Sequence, residues 1–180
     1  EFSKLLENSY RLINISFINE LAKIAQLMDI DIHEAISAAA TKPFGFQAFK
    51  PGPGAGGHCI PIDPVFLSQS MSEQGLNSEM LALALRINGQ MPNFAAELIA
   101  EKLNSSSNTA KKPVFVGLGY KALSMDLRES PSILIMEKLS GMGFEVIAVL
   151  ESVTEVFSLY PTLAASSLTP THHLLVGRKL

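Results

Sequence analysis

Residues 4–28, KLLENSYRLINISFINELAKIAQLM, carry apolar side chains at helical spacing. They run from Leu5 and Leu6 through Leu12, Ile13, Ile15, Phe17, Ile18, Leu21, Ile24 and Ala25 to Met28, with no Gly or Pro to interrupt them. The stretch predicts one long helix. Leu12 with Ile15, and Ile13 with Phe17, belong to different stripes, so the apolar surface is wider than a single face and the helix is expected to pack on two sides. A helix that wide is suited to an oligomer interface.

Outward from this helix, Asp31 followed by Glu34 has the spacing of a capped helix start, and residues 32–40 continue as a short helix. Thr41 to Gly57 holds Pro43, Gly45, Pro51, Gly52, Pro53, Gly54, Gly56 and Gly57, too many breakers for regular structure, and reads as loop. Asp63-Pro64 reads as N-cap and N1 of the next helix, which Gly75 ends. Residues 78–103 form a further long amphipathic segment in which Pro92 either kinks the helix or starts a new one. Residues 104–112, NSSSNTAKK, are a polar linker. Beyond it Pro113 to Leu118 is a short apolar β-like run, Ser132 to Leu139 a helix and Phe144 to Leu150 a second β-like run, the rhythm of a parallel sheet. The expected organisation is a helical domain over 1–103, a linker over 104–112 and an α/β segment over 113–180. That last segment is roughly half of a complete domain, and its pattern weakens after Glu151.

The chain has 180 residues, 47% hydrophobic and 17% charged, with a formal net charge of −3. The apolar content supplies a sizeable core and argues against disorder. A net negative charge opposes binding to phosphates, so neither nucleic acid nor an anionic membrane is an expected partner. One cysteine forms no internal disulfide, and the longest apolar runs fall short of the roughly 18 residues that span a bilayer. A cytoplasmic setting is the expectation. Glu1 opens with helical periodicity already running and no signal-peptide pattern, which suggests a piece of something longer. His172 and His173 are adjacent, without metal-ligand spacing, and no metal is expected.

Residues 51–64, PGPGAGGHCIPIDP, carry the chemistry. Glycines let the backbone approach a ligand closely, and prolines stiffen the same loop, so the combination describes a rigid cradle. Cys59 at its end reads either as a small buried hydrophobe or as an exposed thiol in a polar loop beside His58. Asp63, four residues on, is placed to cap a helix or to handle a proton. Lys4 and Asn8 stand at i and i+4, so a helix puts both on one face.

The run resembles the nucleophile motif of the UDP-glucose/UDP-mannuronate dehydrogenase family, and its GGHCIPIDP form resembles the branch that oxidises UDP-N-acetylhexosamines. Residues 4–22, KLLENSYRLINISFINELA, residues 41–49, TKPFGFQAF, and residues 117–132, GLGYKALSMDLRESPS, fit the same family in order. The resemblance covers positions 4 to about 150. It implies an α-helical central dimerisation domain followed by an incomplete α/β, Rossmann-like UDP-binding domain. It also implies oxidation of the sugar C6 alcohol to a carboxylate by NAD, for surface polysaccharide precursors, through a thiohemiacetal and a thioester on the cysteine.

Carried onto this sequence, Cys59 is that nucleophile, and Asp63 the carboxylate that works with water as general base. Lys4 and Asn8 are the donors to a developing oxyanion. Phe49, Gly54, Gly56, Gly57 and Lys121 would meet the UDP-sugar, and Arg128 the NAD phosphates, to which its fork is well suited. Lys50 departs from the aromatic residue expected before PGPG. His58 is not required by the family as a catalytic base. Gly117-Leu118-Gly119-Tyr120-Lys121-Ala122 satisfies the loose dinucleotide fingerprint, but no helix follows at once, and the resemblance assigns it to the UDP-sugar domain instead. The expected partners are a UDP-sugar and a second copy of the chain, joined through the first helix. The N-terminal NAD-binding domain of the family is not matched, so the chain alone is not expected to turn over. Two rivals stand beside this reading. One is a non-catalytic dimerisation and nucleotide-sugar-binding fragment; the other is a cysteine hydrolase, for which the sequence offers no persuasive base and orienting acid.

Overall fold

The apolar spacing of residues 4–28 becomes α1, Phe2–Leu27. This computed structural model describes residues 1–105, 112–120 and 126–149. Met28 caps α1, and Asp29 then takes the left-handed conformation at φ +55°. Ile30 N–H donates to the Ala25 carbonyl at 2.8 Å and Asp29 N–H to that of Gln26 at 3.2 Å, a Schellman ending that satisfies carbonyls the helix leaves open. α2, Ile32–Ala39, begins at Asp31, whose carboxylate accepts from the His33 and Glu34 amides at 2.8 and 3.2 Å, as the Asp-x-x-Glu spacing predicts. α3 is Asp63–Glu73, and it ends through Gly75 at φ +74° in the same Schellman geometry.

α4, Glu79–Ser105, runs through Pro92 as one helix. Proline there gives up a backbone donor, and its ring crowds the Asn88 carbonyl one turn earlier. The chain divides within α4 into two units, one of Glu1–Met91 and one beginning at Pro92.

In the first unit the buried apolar residues come from α1 (Leu12, Ile18, Ala25) and from one face of α4 (Leu81, Ala84, Ile87, Met91). Burying a leucine such as Leu12 contributes about 1.5–3 kcal/mol. Ser16 Oγ donates to the Ala84 carbonyl at 2.8 Å in the buried seam between α1 and α4. α1 also packs against α2 and α3. The second packing side expected for α1 is exposed in this chain: Phe2, Leu6, Tyr10, Phe17 and Ile24 all face solvent.

In the second unit β1, Val114–Val116, α5, Pro131–Gly141, and β2, Ile147–Val149, form a β-α-β arrangement. The strands are parallel, with Val114 opposite Ile147 and Phe115 opposite Ala148. Ala96 of α4 joins Leu118, Ile133, Ile135, Met136, Leu139, Val146 and Ala148 in its core. The Ser130 hydroxyl donates to the Leu118 carbonyl from a buried position, tying the end of β1 to the start of α5. No helix among the described residues is long and apolar enough to cross a membrane.

Candidate active site

Three of the four residues assigned to catalysis converge in the first unit. Asn8 Nδ2 donates to Asp63 Oδ2 at 2.7 Å, and Lys4 Nζ stands 3.8 Å from the same oxygen. The i, i+4 spacing places Lys4 and Asn8 on the side of α1 that α3 covers. Asn8 is buried, Asp63 mostly so, while the Lys4 side chain is 63% exposed and therefore open to a ligand.

Asp63 departs from its expected duty. The N-cap is Ile62, Asp63 is the first residue of α3, and the helix start has no side-chain cap. The carboxylate turns to Asn8 and Lys4 instead, because a buried amide and an ammonium stabilise it more than a solvated backbone N–H would. Its own N–H donates to the Cys59 carbonyl at 2.9 Å, so the half-buried cysteine stands one turn ahead of the carboxylate.

The loop before Cys59 is held from both long helices. Tyr10 donates its hydroxyl to Gln47 Oε1 at 2.9 Å and stacks edge-on against Phe49, with ring centroids 6.1 Å apart. Gly52 N–H donates to Asn19 Oδ1 at 2.8 Å. Ala55 exchanges two hydrogen bonds with the Asn88 amide, N–H to Oδ1 at 2.6 Å and Nδ2 to the carbonyl at 3.1 Å. Gly54 and Gly57 take φ values of +111° and +86°, which a side chain would strain. Gly57 is buried and Gly56 partly so, whereas His58, Lys42 and Lys50 are exposed.

Tyr10, Asn19 and Asn88 escaped the sequence reading. A polar residue inside an apolar helical run is the available signal, but it does not discriminate. Asn14 on the same helix gives the same signal and donates locally, to the Tyr10 carbonyl at 2.7 Å.

In the second unit the Arg128 guanidinium is exposed and forked onto Asp126, Nε to Oδ1 at 2.9 Å and Nη2 to Oδ2 at 2.6 Å. That hydrogen bonding, and then the charge of Asp126, raises the Arg128 pKa above its already high range. Lys121 lies outside the described residues, as do His172 and His173. The stretch after the glycines of 117–119, where no immediate helix is expected, runs into residues 121–125, which lie outside the described residues. Among the described residues no three His, Cys, Asp or Glu side chains group as metal ligands.

Residues 1–90 match the model of the UDP-glucose/GDP-mannose dehydrogenase family, central domain. The UDP-N-acetyl-D-mannosamine dehydrogenase of Methanocaldococcus jannaschii is 41% identical over 146 residues, which are 81% of this chain and 32% of that protein. The protein CapL of Staphylococcus aureus is 38% identical over 148 residues, 81% of this chain and 34% of its own. Among solved structures, the UDP-N-acetyl-mannosamine dehydrogenase Cap5O from S. aureus aligns with a TM-score of 0.70 at 34% identity, over 82% of this chain and 34% of that one. A UDP-glucose dehydrogenase from the hyperthermophilic archaeon Pyrobaculum islandicum aligns with a TM-score of 0.78 at 25% identity, over 94% and 39%. The chain spans about a third of the length of these curated relatives.

Proposed function

The chain belongs to the UDP-glucose/GDP-mannose dehydrogenase family, and on that premise we propose that it carries the cysteine side of the active site of an NAD-dependent UDP-N-acetylhexosamine, or UDP-hexose, 6-dehydrogenase. The observation that carries the proposal is the meeting of Asn8, Lys4 and Asp63 one turn beyond Cys59.

Each residue has a part that its position supports. Asn8 has two amide hydrogens; one is taken by Asp63, and the other, with the exposed Lys4 ammonium, is left to donate to an oxygen at C6 that gains negative charge. Cys59 adds through sulfur to the C6 aldehyde, giving a tetrahedral carbon from which a hydride can leave, and the resulting thioester is opened by water. Asp63 takes the proton from that water through its carboxylate, and the thiol is restored as the uronate departs. The backbone of Gly54 to Gly57 and the Phe49 ring form the wall offered to the sugar, and Lys121 is assigned a further substrate contact. NAD, when bound, supplies the acceptor for the two hydrides, and Arg128 is the described residue that fits its phosphates.

The exposed apolar side of α1 supports a homodimer as the assembly, and the cytoplasm, where nucleotide sugars and NAD are held, is the proposed setting. Formation of surface-polysaccharide precursors is the proposed purpose.

The test is alkylation of Cys59 by iodoacetamide, with and without UDP-N-acetylmannosamine or UDP-glucose. The proposal expects a reactive thiol that a UDP-sugar protects. An unreactive thiol, indifferent to every UDP-sugar, would overturn it in favour of a non-catalytic dimerisation fragment.

A further inference from the structure

We infer that Asn19 and Asn88 are positioning residues that fix the Cys59 loop against two helices, so that the nucleophile and the Lys4–Asn8–Asp63 cluster share one frame. The chemical consequence rests on the proposed reading of Cys59 as nucleophile; the anchoring does not.

Asn19 is fully buried and Asn88 nearly so. A helix interior gives asparagine no intrinsic advantage, and a buried amide without partners is costly, so both positions need an explanation outside their helices. The explanation is the loop, which serves both ends of the Asn88 amide but only the oxygen of Asn19, whose Nδ2 finds no partner among the described residues. Asn19 Oδ1 takes the Gly52 N–H, and Asn88 takes both main-chain groups of Ala55, as a neighbouring strand would. Pro53, with its fixed φ, and Gly54 at φ +111° lie between the two anchors. Past Ala55 the next hold is the Cys59 carbonyl, bound by the Asp63 N–H. Cys59 is thus reached from Asn88 on one side and from α3 on the other.

The frame is set by α1. Asn19 follows Asn8 by about three turns, or about 16 Å along the axis, and falls back on nearly the same face. The helix that presents the donor to Asp63 therefore also presents the anchor for Gly52. Ser16, between them, bonds the Ala84 carbonyl of α4 and makes no hydrogen bond to the loop among the described residues. It is the natural control, because it ties the same two helices without holding the cradle.

The test uses the full chain and reads amide hydrogen exchange at Gly52 and Ala55 together with the rate of Cys59 alkylation by iodoacetamide, with and without UDP-N-acetylmannosamine. Asn19→Ala is expected to speed exchange at Gly52, and Asn88→Ala at Ala55, by about tenfold or more relative to global unfolding. Both are expected to raise Cys59 alkylation and to weaken protection by the UDP-sugar about tenfold. Ser16→Ala is expected to lower the unfolding midpoint while leaving all three readouts at wild-type values.

The conservative variants separate the two anchors. Asn19→Asp keeps the one acceptor that Gly52 uses, on a carboxyl buried without a counter-charge, and is expected to restore protection at Gly52 relative to global unfolding while lowering global stability. Asn88→Asp keeps an acceptor but loses the donor to the Ala55 carbonyl, and restores the loop only in part. If Asn19→Ala and Asn88→Ala behave as Ser16→Ala does, the inference is overturned. If the alanine variants do not fold, equal behaviour of Asn19→Asp and Asn88→Asp overturns it instead. Should the exchange results hold while no UDP-sugar protects wild-type Cys59, the anchoring stands and the nucleophile reading falls.

Discussion

Asn8 Nδ2 donates to Asp63 Oδ2 at 2.7 Å, joining two residues 55 positions apart in the chain. Lys4 approaches that same oxygen, so both donors gather on one side of the carboxylate. The arrangement is structural and chemical at once. It closes the start of α3 onto α1, and it sets the exposed Lys4 ammonium beside a carboxylate one turn beyond Cys59.

Removing either member of the Asn8–Asp63 pair strands the other in a mostly dry place. Asn8→Ala is expected to destabilise the fold by about 1.5–3 kcal/mol, the range for a hydrogen bond to a charged group. Asp63→Ala is expected to cost a similar amount. Urea denaturation of both single variants and of the double variant tests the coupling. The double variant is expected to lose about 1 kcal/mol less than the two losses added together. Plain additivity would mean that the 2.7 Å contact contributes nothing to stability.

Lys4 should behave differently. Its side chain is 63% exposed and its nitrogen lies 3.8 Å from Asp63, the geometry of a weak surface pair. Lys4→Met is therefore expected to change stability by less than about 0.5 kcal/mol. Turnover of a UDP-sugar, measured with an NAD-binding domain supplied, is expected to fall on the order of a hundredfold or more, as when an oxyanion donor is removed. Unchanged turnover would make Lys4 a surface charge and no more.

Much of this architecture was legible in local sequence. The apolar spacing of residues 4–28 gave α1 to within two residues, Asp31 announced α2, and the apolar runs around residues 115 and 147 gave the parallel pair. These signals work because a helix or strand buries one side and shows it in the periodicity of the chain. Asp63 defeated local reading, since its carboxylate answers to Asn8 and Lys4 on another helix and not to the backbone beside it. Asn19 and Asn88 were hidden for a related reason: their partners are main-chain groups of Gly52 and Ala55, and a main-chain partner leaves no mark of its own in the sequence. The cysteine cradle was legible as a rigid loop from its glycines and prolines, but what holds it was not.

The end of α1 offers a stabilising substitution. Asp29 occupies the left-handed position of a Schellman ending at φ +55°, where a Cβ is strained and glycine is not. Asp29→Gly is expected to stabilise the chain by about 0.5–1 kcal/mol, the relief of strain being partly offset by a more flexible unfolded chain. The unfolding midpoint in urea should rise with its slope unchanged. A lower midpoint would mean that the Asp29 side chain contributes more than its backbone strain costs.

The outer side of α1 bears on assembly. Phe2, Leu6, Tyr10, Phe17 and Ile24 recur at intervals of four and seven residues and are 67, 58, 47, 53 and 46% exposed. They form one stripe opposite the face that carries Asn8, Leu12, Ser16 and Asn19, and the charge of Glu20 is its one interruption between Phe17 and Ile24. An apolar stripe of this length on a helix, broken at one position, is the pattern of a self-complementary interface. In a two-fold dimer each substitution acts twice, once in each copy. Phe17→Asp removes two aromatic contacts of about 2 kcal/mol each and places two carboxylates in the seam, so the dimer should weaken by at least about a thousandfold. Met142→Asp, at an exposed methionine in the second unit, should leave association as it was. Sedimentation across micromolar concentrations distinguishes the outcomes: a wild-type dimer, a Phe17→Asp monomer and a Met142→Asp dimer support the assembly, whereas a wild-type monomer throughout that range refutes it.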